Sequence, residues 1–237
     1  MPTVLVAHGA LGSAAQMQPV VDALRAFGGG RIRVEAFEFP GHGVTPLGDV
    51  DLFQLTHFVD AMAHAVSALG TPKPLLFGYS MGGYAGLALE ARAPGTFSGI
   101  VTLGTKFEWT PESAEREALR LDPVMISTKV PKFAALLNER HALVGGWESV
   151  VCRTAALLRV NGGSPLLTVE VMERIAVPVC VAVGTKDDTV SVAESRAAAD
   201  VMLNGRWFTL DDVPHPIERV PVSHIIELVW TLLDTEA

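Results

Sequence analysis

A serine, two adjacent aspartates and a histidine are spaced along this chain as acyl-transfer chemistry would require. Ser80 lies in Gly78-Tyr79-Ser80-Met81-Gly82-Gly83, Asp187 and Asp188 in Gly184-Thr185-Lys186-Asp187-Asp188-Thr189-Val190, and His215 in Val213-Pro214-His215-Pro216. A serine hydroxyl is a weak nucleophile until a base takes its proton. An imidazole does this when a carboxylate fixes its tautomer and stabilises the imidazolium. Asp187 is the preferred carboxylate because it is nearer the apolar run before it, with Asp188 as the alternative or as a cap for the next helix. His215 is the preferred base because it follows an apolar run directly. His224, near the start of the last helix, competes with it, and His42, His57, His64 and His141 read as surface or core histidines. A tetrahedral adduct needs two donors aimed at its oxyanion. The Met81 N–H at a helix start offers one, and Ala10, after His8-Gly9, offers the other.

These groups can act together only if the fold delivers them to one rim. Pro74 precedes the apolar run Leu75–Phe77, a buried strand, and Met81, Tyr84, Ala85, Ala88 and Leu89 then recur at helical spacing. Ser80 therefore sits on a sharp strand-to-helix bend, where Gly78 and Gly82 allow backbones to approach closely. A bare G-x-S-x-G is weak, but this context gives each glycine a reason. Further strands are expected at Val4–Ala7, Ile32–Phe39, Ile100–Leu103, Val177–Val183 and Trp207–Leu210, separated by helices. Such alternation predicts an α/β, doubly wound, mostly parallel sheet of about six strands. Between residues 106 and 175 it breaks, and helices are expected from Thr110-Pro111, Pro131, the neighbourhood of Trp147, and Thr168. A helical insertion at that place would lie over the carboxyl ends of the strands as a cap. The expected organisation is a core of residues 1–105 and 176–237 with a cap of 106–175.

The insertion's Phe133, Leu136, Leu137, Trp147 and Leu157 either line an apolar pocket or pack internally. With Leu11, Tyr79 and Lys106, residues Phe133, Leu137 and Trp147 form the candidate pocket set. Lys106, Arg116, Lys129, Lys132 and Arg153 either meet a substrate carboxylate or are solvated. The net charge of −8 argues against nucleic acid and anionic membrane as partners. There is no run of 18 apolar residues to span a bilayer. The start of the chain lacks a basic signal region, and Cys152 and Cys180 read as two reduced thiols, so a cytoplasmic location is expected. The expected partner is a small-molecule substrate, and the chain is expected to be a monomer or a homodimer.

In chain order, His8-Gly9-Ala10, Pro40-Gly41-His42-Gly43, Gly78-Tyr79-Ser80-Met81-Gly82-Gly83, Gly184-x-x-Asp187-x-x-Val190 and His215 resemble the α/β-hydrolase superfamily over essentially the whole length. The resemblance implies Ser80 as nucleophile, Asp187 as acid, His215 as base, the Ala10 and Met81 amides as oxyanion hole, a helical cap, and neither metal nor cofactor. It implies hydrolysis of a small carboxylic ester. Carbon–carbon bond hydrolysis, a synthase-type lyase, and a ligand receptor on the same fold are the alternatives. His8-Gly9-Ala10-Leu11-Gly12-Ser13 and Gly-Tyr-Ser-Met-Gly-Gly also resemble the menaquinone-pathway synthase branch. That branch carries an arginine where this chain has Tyr84. The family often begins with two strands more than this chain shows, so a shortened sheet is expected.

Overall fold

Six strands, β1 (Thr3–Ala7), β2 (Arg33–Phe37), β3 (Leu75–Tyr79), β4 (Gly99–Leu103), β5 (Val179–Gly184) and β6 (Gly205–Leu210), form one parallel sheet in the order β2-β1-β3-β4-β5-β6. The structure is a computed structural model describing residues 1–71 and 73–233. The last four residues of the segment 176–237 thus lie outside the described ones.

The inner strands read as continuous apolar runs because both sheet faces are covered. Side chains alternate between two cores. Leu5, Ala7, Leu76 and Val181 join one, under α2 (Leu55–Ala68), α3 (Met81–Arg92) and α9 (Val192–Val201). Val4, Val6, Phe77 and Ala182 join the other, under α1 (Gln18–Gly28) and α10 (Val222–Leu233). A one-residue slip would exchange these faces, so burial on both sides fixes the register.

The order reverses between β1 and β3, since the chain goes from β1 outward to β2 and then returns to β1's other side. In open α/β sheets the crevice at such a switch, at the carboxyl ends, is the place for a ligand. The β1 loop carrying Ala10 and the β3–α3 bend carrying Ser80 both end there.

Five helices connect β4 to β5: α4 (Pro111–Leu119), α5 (Pro123–Lys129), α6 (Pro131–His141), α7 (Trp147–Gly163) and α8 (Val169–Met172). Thr110 and Ser113 cap α4 reciprocally, and Thr168 caps α8. The sequence reading expects four helices and misses α5. Its start signal is nevertheless present: Asp122 accepts the N–H groups of Val124 and Met125, with Pro123 at the first helical position. At the sheet end of this connection Glu194 accepts the N–H groups of Phe107 (2.6 Å) and Glu108 (2.7 Å) and pairs with Lys106 at 3.3 Å. Among the described residues no helix is long and apolar enough to cross a membrane.

Candidate active site

The β3–α3 bend is strained and held. Ser80 has φ 50° and ψ −114°, a conformation that costs a non-glycine residue roughly 1–3 kcal/mol. Its N–H donates to the Leu103 carbonyl at 2.8 Å. Its own carbonyl accepts Thr105 Oγ1 at 2.9 Å and the N–H groups of Gly83 and Tyr84 at 3.1 and 3.2 Å. At roughly 0.5–1.5 kcal/mol net each, these four bonds can offset the strain. A Cβ on Gly78 would stand 2.4 Å from the Gly83 nitrogen, so strand and helix do nearly touch there. Gly82 answers to a different neighbour. Its Cβ would meet the Ala7 carbonyl oxygen of β1 at 2.6 Å, not the strand it follows.

After β5 the chain turns so that Asp187 accepts the N–H groups of Thr189 (2.9 Å) and Val190 (2.8 Å) on Oδ1. Its Oδ2 receives His215 Nδ1–H at 2.7 Å. Asp188 is exposed and reaches neither. The Asp187 side chain is only 2% exposed and that of His215 18%. With Nδ1 occupied, His215 Nε2 is the ring nitrogen left to exchange a proton, and it has no protein partner among the described residues. Tyr79 donates its hydroxyl to the His215 carbonyl at 2.9 Å, and their rings lie 5.5 Å apart. Burial, then the negative charges of Glu218 and Asp187, pushes the Tyr79 phenol well above its ordinary value, so it remains a donor. His224 sits on α10 against Glu227 at 3.8 Å.

Ser80 and His215 share the wall of a cavity of about 430 Å³ with Ala10, Met81 and Tyr84. No hydrogen bond joins Ser80 Oγ to His215. Catalytic contacts are often long in a resting site and tighten when substrate arrives. The Ala10 and Met81 N–H groups have no protein acceptor among the described residues.

The Ala10 loop is anchored from below and from the side. His8 is fully buried; Nδ1–H donates to the Gly9 carbonyl at 2.7 Å, and Nε2 accepts the Phe39 N–H at 3.1 Å. Burial pulls its pKa down from 6.5 to about 3, with the Gly9 bond opposing and His141 and Arg140 adding. His141, from α6, accepts the Gly43 N–H (3.2 Å) and donates to the Leu11 carbonyl (3.0 Å). Arg140 donates to the same carbonyl at 2.7 Å and pairs with Glu218 at 3.3 Å. Leu11 has φ 58°, so these two donors fix a residue in a conformation it would not otherwise keep.

Of the candidate pocket residues, Leu11, Tyr79, Lys106 and Phe133 wall the cavity. Leu137 and Trp147 do not; they are buried in the core shared by the sheet and the β4–β5 helices. Lys106 is on the wall but its charge is met by Glu194, and its ammonium lies over the Trp109 ring. Arg116, Lys129, Lys132 and Arg153 are not on it, and Arg153 donates to the Asp51 carbonyl instead. Sequence reasoning missed Trp109, Arg140 and Asn161, all on the wall. Only Asn161 left a usable trace, sharing helical spacing with Leu157 and Leu158. Arg140 meets Leu11 across 129 residues, beyond any local pattern.

Residues 4–225 match the Alpha/beta hydrolase family. The chain belongs to that family. No curated protein sequence matches it. Among solved structures it resembles NosK from Streptomyces actuosus, at 19% identity and TM-score 0.80, over 99% of this chain and 98% of that one. A thermophilic esterase from Thermogutta terrifontis, malate bound, gives 18% identity and TM-score 0.76 over 99% and 90%. A structure from a study of carboxylesterases of the ammonia-oxidizing thaumarchaeon Nitrososphaera gargenis gives 18% and 0.78 over 100% and 92%. At these identities the likeness is one of fold, and function has to be argued from the site.

Proposed function

We propose that the protein is a serine hydrolase that cleaves a small carboxylic ester through an acyl-enzyme. The observation that carries this reading is the 2.7 Å contact between Asp187 Oδ2 and His215 Nδ1, beside a cavity whose wall also holds Ser80 on its strained bend. In the first half-reaction Ser80 Oγ attacks the ester carbonyl while His215 Nε2 takes its proton. The N–H groups of Ala10 and Met81 donate to the oxyanion. His215 returns the proton to the leaving alkoxide, giving the alcohol and acyl-Ser80. Water then attacks the acyl carbon, His215 takes its proton, and Ser80 leaves protonated as the acid departs.

In this reading residues 106–175 are the cap. They supply the apolar Trp109, Ile126, Phe133 and Leu157 to the cavity wall and shield the acyl chain from water. The esterase and carboxylesterase neighbours show that this fold can carry ester chemistry, and the choice of an ester rests on the site. The two unbridged cysteines fit a cytoplasmic setting.

The test is a panel of p-nitrophenyl acyl esters of rising chain length, with lactones, thioesters and a vinylogous diketone alongside. Ester hydrolysis that rises with chain length and then falls supports the reading. Diketone cleavage with inert esters would replace it with carbon–carbon bond hydrolysis.

A further inference from the structure

Helix α7 turns one stripe towards the cavity. Thr154, Leu157, Leu158 and Asn161 recur three and four residues apart, and all four lie on its wall. The two leucines form an apolar surface, and Thr154 gives its hydroxyl proton back to the Val150 carbonyl at 2.8 Å. Asn161 is different. It is 4% exposed, where an unbonded polar group is costly. Its Oδ1 accepts the Tyr84 hydroxyl at 3.1 Å, and the same Tyr84 oxygen accepts the Leu167 N–H at 3.1 Å. That chain fixes which way the amide faces. Turned over, it would give Tyr84 a second donor and leave the phenolic proton with no acceptor. Asn161 Nδ2 therefore carries two N–H donors, with no protein acceptor among the described residues.

Each cation on the cavity wall already meets a carboxylate of the protein. Lys106 is met by Glu194, Arg120 by Glu117 and Arg140 by Glu218, each at 3.3 Å. A carboxylate in the substrate would have to share one of these cations with the carboxylate it already meets. A neutral acceptor oxygen needs only the free amide.

We propose that Asn161 is a specificity residue whose Nδ2 donates to a ketone oxygen on the substrate chain, so that the preferred substrate is a neutral oxo-substituted acyl ester. Its ester character rests on the hydrolase reading; the recognition of the oxygen does not. A plain alkyl chain would fill the same apolar volume but leave the buried amide unpaired, a larger penalty than the bond is worth in water.

The experiment measures equilibrium binding to Ser80→Ala protein, where turnover does not interfere, by calorimetry with octanoate esters bearing an oxo group at successive chain positions and with the all-methylene ester. One position is expected to bind about tenfold tighter than the all-methylene ester. That gain should vanish in Ser80→Ala/Asn161→Leu and in Ser80→Ala/Asn161→Asp. Measured at alkaline pH, where its carboxylate is ionised, the aspartate variant keeps an acceptor for Tyr84 and removes the donor, so folding and donation are tested separately. No gain at any position, or a gain that survives both substitutions, overturns the proposal. A gain that depends on Asn161 in a protein whose wild type hydrolyses none of these esters would uphold the recognition and sink the hydrolase reading.

Discussion

One histidine and a cluster of three flank the Ala10 loop, and they are built on opposite principles. His215 has a carboxylate at 2.7 Å and some access to solvent. His8, His42 and His141 are packed together, with ring centroids 5.2 and 5.8 Å apart along the series, and among the described residues no carboxylate hydrogen-bonds to any of them. Burial lowers the pKa of all three, and each of them also lowers or is lowered by a neighbour in the cluster. An imidazole with a counter-charge can take a proton and hold it. A desolvated imidazole without one stays neutral, and a neutral imidazole can donate at one nitrogen and accept at the other. His8 and His141 each do this between two backbone segments. Burial with a backbone partner at each nitrogen makes a histidine a bracket, as at His8 and His141 but not at His42, whose buried Nε2 has no partner among the described residues, while partial exposure with a carboxylate equips a histidine for proton transfer.

The largest effects should come from the carboxylate-bearing side. His215→Ala should lower kcat/KM on a p-nitrophenyl ester by about 10⁴ or more. Asp187→Asn should cost about 10³ to 10⁴ through the wrong tautomer, while Asp188→Asn changes the rate less than twofold. Equal losses for the two aspartates would erase the distinction drawn here.

A smaller, different loss is expected from the bracket side. His141→Leu with Arg140→Met removes both donors to the Leu11 carbonyl, so the loop carrying the Ala10 N–H loses its anchor. The expected outcome is a fall in kcat of about 10- to 100-fold with KM nearly unchanged, since an oxyanion donor acts on the transition state. A rise in KM alone would mean that these residues bind substrate and do not position the loop.

The bracket histidines also set a pH dependence of stability. The folded pKa values of His8 and His141 lie below the unfolded 6.5, to about 3 for His8, so the unfolded chain binds more protons across that interval. Their contribution is complete above about 6.5 and is lost as the pH falls towards the folded value. Arg140 works in the same direction on His8 and His141, and Glu38 works against it on His141. Urea unfolding from pH 7 to 4 should show stability falling by up to about 1.4 kcal/mol per pH unit for each such histidine. His8→Gln should flatten that slope. An unchanged slope would show that His8 is not neutral by burial.

The contrast also marks how far the sequence can be read. The six strands, the bend at Ser80 and the position of His215 after β6 are local patterns, and the chain states them in runs a few residues long. Asp187 and Asp188 are separable only once the turn after β5 is formed, because it is the N–H groups of Thr189 and Val190 that aim one carboxylate inward. Leu137 and Trp147 read as pocket residues because an apolar helical stripe looks the same whether it faces a cavity or a core. The Leu11 clamp and the Tyr84–Asn161 bond join residues 77 to 130 positions apart, and helical spacing can place Asn161 beside Leu157 and Leu158 but cannot state either pairing.

In the proposed mechanism one serine is activated by one histidine. Fluorophosphonate labelling followed by peptide mass mapping tests it most directly. A single adduct on Ser80 is expected, formed at least about 10³ times more slowly in His215→Ala. An adduct on another residue, or one that forms on Ser80 at the same rate without His215, would contradict it.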